Sequence, residues 1–330
     1  MAGVENSRAK LFYILQILYR KSDNERGVTL KEIQDYLSVR GASAERKSIY
    51  RDIHILNECG YGIFKNGIKP VEYCVSDRQF DIAELRLLVD AIQSARFISE
   101  STTNTLTAKI ESLTSERLAK MMQRQILFHG RPKTGNDDVS EITATIQDAM
   151  NEGVRIQFKY HDYLPSKSTQ ARRDGSIYRV SPYALVWNDD YYYVLGYYER
   201  REKISFFRID RMRKVEKTEI PAMPKPKSLN ISTLVEESFG MYSGNNESMD
   251  IAFTRDLINP VIDRFGDKTR IMSSNDTHFV AHVSASLSPV FFSWLFQFGD
   301  KVRIIRPASV VNQYKEMIES VLKTMTEDNR

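Results

Sequence analysis

The residues with most chemistry to offer are crowded into the stretch Tyr191 to Met212, Y-Y-Y-V-L-G-Y-Y-E-R-R-E-K-I-S-F-F-R-I-D-R-M. Its end sets Arg208, Asp210 and Arg211 into an otherwise apolar run. Strand alternation puts Phe207 and Ile209 on one face and Arg208 and Asp210 on the other. Charges inside such a strand are costly if buried unpaired. The run therefore holds either an ion-pair cluster or a site for an anionic ligand. Two aromatic, β-branched runs flank the turn Glu199-Arg200-Arg201-Glu202, which predicts a β-hairpin as the element that positions these groups.

Other chemistry is poorly supplied. The chain has no G-x-x-x-x-G-K-[ST], G-x-G-x-x-G, G-x-S-x-G or H-E-x-x-H. Its five histidines are His54, His129, His161, His278 and His282. The last two fall four apart on one predicted strand, too widely spaced for a metal site. Asp189-Asp190 reads as a turn. Two cysteines, Cys59 and Cys74, cannot make a disulfide framework and fit a reducing cytoplasm. No apolar run is long enough to span a bilayer, and the polar start lacks a signal-peptide core. We expect no catalysis, metal, cofactor or membrane contact. A net charge of +4 over 330 residues is mild, so the distribution of charge must decide the partners.

The second concentration of charge lies near the N-terminus. Leu11, Ile14, Leu15, Leu18 and Tyr19 recur at helical spacing. Thr29-Leu30-Lys31-Glu32 is a capping box, with Val28 and Ile33 as staple, and opens a helix to about Val39 ended by Gly41. Ser43 can cap a third helix carrying Ile49, Ile53 and Leu56, with Gly60 past its end. Asn66-Gly67 between apolar runs then predicts a hairpin. Three short helices and a hairpin make a winged helix-turn-helix pattern over residues 8 to 76. The third helix would present Arg46, Lys47, Ser48, Tyr50, Arg51 and His54 to double-stranded DNA, with Lys65 and Lys69 on the wing near the flanking backbone.

Tyr192-Tyr193-Val194 followed by Phe207-Arg208-Ile209-Asp210-Arg211-Met212 resembles the signature of the WYL-domain transcriptional regulators. Tyr stands for Trp and Val for Leu in the triplet. Ser181-Pro182-Tyr183-Ala184-Leu185 resembles the stretch before it. Ser48-Ile49-Tyr50-Arg51-Asp52-Ile53 with Gly60-Tyr61 resembles the winged helix that precedes such domains. Trp294-Leu295-Phe296-Gln297-Phe298-Gly299-Asp300 resembles their C-terminal extension. The resemblance implies a small Sm-like or SH3-like barrel over 151 to 220. It also implies a nucleic-acid or nucleotide-like effector held by Tyr193, Arg208 and Arg211, with Ser181 and Tyr183.

The remaining segments fit around these. Residues 77 to 150 read as a helical linker, opened at Asp81-Ile82-Ala83-Glu84, broken at Ser101-Thr102-Thr103-Asn104, looped from His129 to Asp138, and helical again from Val139 to Met150. Val154, Ile156, Phe158 and Tyr160 alternate with polar residues as a strand. Lys167 to Gly175 reads as a basic loop, Tyr178 to Trp187 as two strands broken at Ser181-Pro182, and Asn188-Asp189-Asp190 as a turn. Tyr160, Tyr178, Tyr183, Tyr193 and Tyr197 interleave here with Arg172, Arg173, Arg179, Arg208 and Arg211, the composition by which small barrels hold single strands. Pro221 begins a linker over 221 to 247. Residues 248 to 328 read as βαββαβ plus a last helix, a ferredoxin-like unit. Ser288, Pro289 and Gly299 mark one of its helices.

The expected fold class is thus an α+β multidomain chain. The expected function is a homodimeric, DNA-binding regulator whose barrel senses the effector and modulates operator binding. The alternatives are a constitutive nucleic-acid-binding protein with the barrel as a second surface, or a regulatory accessory of a nucleic-acid-processing enzyme.

Overall fold

A computed structural model of the chain describes residues 2–123, 132–242 and 244–327. The chain divides into two compact units, Met1–Asp137 and Asp138–Arg330.

The first unit begins with α1 (Ala2–Lys21), β1 (Val28–Thr29), α2 (Leu30–Val39) and α3 (Arg46–Glu58), followed by β2 (Ile63–Asn66) and β3 (Glu72–Val75). The strands form an antiparallel sheet in the order β1-β3-β2. The apolar positions read at helical spacing meet in one core: Ile14, Leu18, Ile33, Leu37, Ile49, Ile53 and Leu56 are all buried. Thr29 caps α2 in a reciprocal box with Glu32. Such a cap stabilises by about 1 kcal/mol.

One local expectation fails here. Ser43 does not cap α3. Glu45 holds that position without a side-chain hydrogen bond, because the turn after α2 is fixed by Gly41 at φ +69° and by the Ala42 amide donating to Leu37 O at 2.9 Å. The hairpin expected at Asn66-Gly67 is present: Asn66 pairs with Glu72, leaving 67–71 as the connection.

Three helices follow, α4 (Ile82–Ser94), α5 (Glu100–Glu111) and α6 (Glu116–Gln123). Asp81 and Glu84 form the capping box expected for α4. Residues 101–104 are not a break. The break precedes them, and Ser99 caps α5 by accepting from the Thr102 amide. The hydroxyl-rich run is a first helical turn rather than a loop. The loop expected from His129 lies partly outside the described residues. Asp23, 3% exposed, accepts from the Glu25 and Arg26 amides, from the Ser115 hydroxyl and from Arg117, each near 3 Å. This fastens the loop after α1 to α6. Burial works against the Asp23 charge, but Arg117 and the amides outweigh it and hold the carboxyl well below its usual range.

The second unit opens with α7 (Val139–Glu152), closed by Gly153 at φ +67°. Six strands follow: β4 (Val154–Tyr163), β5 (Thr169–Ala171), β6 (Ile177–Asn188), β7 (Tyr191–Tyr198), β8 (Lys203–Arg208) and β9 (Met212–Pro221). The order is β5-β4-β6-β7-β8, with β9 also pairing β4, and every ladder is antiparallel. Ile156, Phe158, Tyr160, Tyr178, Val180, Tyr198 and Phe207 are buried as the alternation requires.

Three expectations fail in this sheet. Residues 177–188 are one strand with a bulge between Pro182 and Ala184, not two strands. Pro182 there faces Gly196, whose missing Cβ lets β7 approach: a Cβ would stand 2.4 Å from Ser181 O. The Lys167–Gly175 loop contains β5. The hairpin strand ends at Arg208, and Ile209–Arg211 is a 3₁₀ turn leading into β9. Asp210 is therefore not a strand residue. Strand β9 itself, largely charged and exposed, carries too little alternation to be read.

The chain then passes through α8 (Ile231–Glu237) into β10 (Asn246–Thr254), α9 (Ile258–Phe265), β11 (Arg270–Ser274), β12 (His278–Ser286), α10 (Pro289–Phe296), β13 (Val302–Arg306) and α11 (Ala308–Glu327). The strand and helix order read from the sequence is present, and the sheet runs β11-β12-β10-β13. Its core gathers Ile251, Phe253, Phe279, Phe291 and Leu295. Ser288 caps α10 with Pro289 at its first position. Among the described residues no helix is long and apolar enough to cross a membrane.

Candidate anion site and basic helix face

Strands β7 and β8 set Tyr193 directly opposite Arg208. Around this pair lies a cavity of about 370 Å³ that also takes in Arg172, Arg173, Arg201, Lys203 and Arg211. Among the described residues six cations line it and no carboxylate does. Two of the six are held by acids: Arg208 donates to both Asp210 oxygens at 3.0 and 2.7 Å, and Arg172 to both Asp162 oxygens. Burial works against the Arg208 charge, yet the Asp210 hydrogen bonds prevail and hold the guanidinium above its usual range. The guanidinium also lies 3.3 Å from the centre of the Tyr191 ring. The ion-pair reading of the F-R-I-D-R-M run is thus present in Arg208 and Asp210, and a cation-rich wall lies beside the pair.

The other four cations are less committed. Arg211 reaches Asp162 only at 3.8 Å, and its Nε is buried without a hydrogen-bond partner. Arg173 donates to the Tyr198 hydroxyl at 3.0 Å. Arg173, Arg201 and Lys203 form no ion pair among the described residues. Unpaired guanidinium forks facing a cavity suit phosphate or carboxylate, which accept two parallel N–H bonds.

The cavity's aromatic wall is stacked on itself. Tyr178 lies flat on Phe158 at 5.5 Å and on Tyr198 at 5.3 Å, and Phe207 meets all three edge-on. Tyr160 accepts from the Arg208 amide at 3.1 Å, tying the end of β8 to β4. Tyr178 is 2% exposed, and its hydroxyl has no partner among the described residues. A buried hydroxyl without a partner is costly, so it marks a place for an acceptor. Burial pushes Tyr178 and Tyr160 upward and pushes Tyr193 up to about 12, so these hydroxyls stay protonated donors at neutral pH.

Of the five residues expected at an effector site, Tyr193, Arg208 and Arg211 come together here. Ser181 and Tyr183 do not line the cavity. Ser181 is fully buried and accepts from the Met223 amide at 2.9 Å, while Tyr183 donates to Pro224 O at 3.4 Å. Both pin the segment after β9. Arg201 was legible only as part of the charged turn 199–202, and Lys203 was not singled out. Their hairpin position brings them to the cavity, and the tyrosine-arginine interleaving already singled out Arg172 and Arg173.

In the first unit, Arg46, Lys47, Tyr50, Arg51 and His54 are exposed along α3, and Lys65 and Lys69 are exposed on the hairpin. His54 pairs with Glu58 at 3.4 Å. Tyr50 leans toward Tyr73 of β3, ring centres 6.5 Å apart. Ser48 differs: it is half-buried and accepts from Lys10, which also pairs with Asp52 at 2.8 Å. Ser48 and Asp52 thus join α3 to α1. In the second unit His282 bonds Asp250 at 2.6 Å, and Arg306 shares that carboxylate.

Residues 141–217 match the family model of the WYL domain. The chain is also similar to YobV, an uncharacterized HTH-type transcriptional regulator of Bacillus subtilis (strain 168), at 22% identity over 84% of this chain and 88% of that protein. Among solved structures it is similar to the proteasome accessory factor B/C (PafBC) of Arthrobacter aurescens, at 15% identity and a TM-score of 0.28, over 93% of this chain. The chain spans 45% of the length of that structure's chain. A CRISPR Cas-related protein is similar at 11% identity and a TM-score of 0.38, over 99% of this chain and 86% of its own.

Proposed function

We propose that this WYL-domain chain is a DNA-binding transcriptional regulator, homodimeric, that answers to an anionic effector of nucleic-acid or nucleotide type. The carrying observation is a cavity whose six cations all fall in the WYL-matched segment, beside a Tyr178 hydroxyl without a partner among the described residues. The curated relative's name, an HTH-type transcriptional regulator, supports the same reading. In this reading α1 to β3 form a winged helix. The exposed side chains of α3 enter the major groove, and Lys65 and Lys69 meet the backbone. Strands β4 to β9 form the Sm-like barrel, β10 to α11 the ferredoxin-like extension. A dimer would read two half-sites about one helical turn apart.

The six cations favour one rival specifically, a second surface for duplex DNA. The double substitution Arg208→Ala, Arg211→Ala separates the two. An effector site keeps duplex affinity and its salt dependence but loses the response to effector. A second DNA surface loses affinity at low salt and flattens the slope of log K against log salt. We expect the first result, read by fluorescence anisotropy of a labelled duplex from upstream of the coding region. The second would overturn the sensing role.

A further inference from the structure

We infer that the segment Phe239–Tyr242 reports occupancy of the cation-lined cavity to the C-terminal sheet unit, an inference that rests on the reading of that cavity as an effector site. Gly240, Met241 and Tyr242 line the cavity, although they belong to the chain leading into β10. Gly240 and Met241 both take left-handed backbone, at φ +60° and +56°. Methionine adopts that conformation only where its surroundings impose it. Met241 is 6% exposed, whereas Tyr242, at 56%, leaves a ring open at the rim.

The same segment is anchored to the C-terminal unit at both ends. Phe239 is buried in that unit's core, 5.0 Å from the Phe291 ring and 5.9 Å from Trp294. Arg264 of α9 lies over Phe239 at 3.7 Å and donates to Ser238 O at 2.7 Å. The Gly244 amide donates to the Ser286 hydroxyl at 2.8 Å, and the Leu287 amide to Asn245 O. A Cβ on Gly244 would stand 2.2 Å from Leu287 O, so the strap is pressed against the end of β12. Phe239, which holds the C-terminal core, is thus followed directly by Gly240, Met241 and Tyr242, which line the cavity a ligand would occupy. A ligand shifts a conformational equilibrium only through contacts that differ between its states. Met241 and Tyr242 supply such contacts, and Phe239 carries the change to Trp294.

The chain has two tryptophans, Trp187 and Trp294, so Trp187→Phe leaves Trp294 as the sole indole reporter. The full-length Trp187→Phe protein is titrated with a single-stranded thymidine tetranucleotide. Binding is followed by anisotropy of a labelled copy, and Trp294 emission by an unlabelled one. We expect Trp294 emission to change and to saturate with binding. Adding Phe239→Leu, which lies outside the cavity lining and shortens the side chain's reach to Trp294, should keep probe affinity and abolish the emission change. Probe binding with a silent Trp294, or an undiminished response in the Phe239→Leu protein, would overturn the strap while leaving the cavity reading intact. Absence of probe binding at low salt, or binding that survives Arg208→Ala with Arg211→Ala, would overturn the cavity reading and the strap with it.

Discussion

Arg208 and Asp210 illustrate how the site divides its charges. Burying a guanidinium beside one carboxylate leaves the pair nearly neutral, so Arg208 shapes the wall more than it attracts a ligand. Truncating the partner would leave a buried charge uncompensated, at about 3–5 kcal/mol. We therefore expect Asp210→Ala to destabilise the protein by about 3 kcal/mol in chemical denaturation. Tyr178 should behave in the opposite way. Its hydroxyl is buried and without a partner among the described residues, so Tyr178→Phe should leave stability unchanged or slightly raised while weakening effector binding by roughly tenfold, the worth of one hydrogen bond near 1.4 kcal/mol. A loss of stability with unchanged binding would show the hydroxyl to be structural.

Asp23 gives the clearest pH dependence. Its folded carboxyl titrates well below the unfolded value near 3.9. A depressed pKa adds stability that is fully present above the unfolded value and is lost as pH falls through the folded one. Asp23→Asn should therefore be less stable than the parent at pH 7, with the difference shrinking as pH drops below about 4. Urea titrations at pH 7 and pH 3.5 measure this. A difference that stays constant would mean that Asp23 acts through shape rather than charge.

At the scale of elements, α3 owes its exposed basic face to what the rest of the helix must do. Ile49, Ile53 and Leu56 turn inward, and Lys10 claims Ser48 and Asp52, which leaves Arg46, Lys47, Tyr50, Arg51 and His54 outward. If this face meets phosphates, Arg46→Ala with Arg51→Ala should weaken duplex binding across sequences and reduce the salt slope by about one for each phosphate no longer neutralised. Unchanged salt dependence would remove α3 from the interface. Much of this was legible in the sequence because its cause is local. Caps at Thr29, Asp81 and Ser288, and apolar spacing along helices and strands, are fixed within a few residues. The misreadings have non-local causes. Ser43 looks like a cap, but the Gly41 turn passes it by. Strand β9 reads as charge and exists because β4 offers an edge. Arg208 and Asp210 alternate like strand residues, yet a 3₁₀ turn intervenes and lets Asp210 fold back onto Arg208. Arg201 and Lys203 join the cavity only through the hairpin's register, which no local pattern announces.

At the scale of the whole molecule, the proposal is one of linkage between duplex and effector. Whatever the effector does to duplex affinity, the duplex must do to effector affinity by the same factor, commonly 5- to 150-fold, or about 1–3 kcal/mol. The most direct measurement is anisotropy of a labelled upstream duplex against the full-length protein, with and without saturating short single strands. The proposal predicts specific duplex binding whose Kd shifts by at least about fivefold on adding single strands. It predicts that this shift disappears in the Arg208→Ala, Arg211→Ala protein while duplex affinity itself is retained. Duplex binding indifferent to single strands and to other phosphate-bearing ligands, or no duplex binding with or without them, would contradict it.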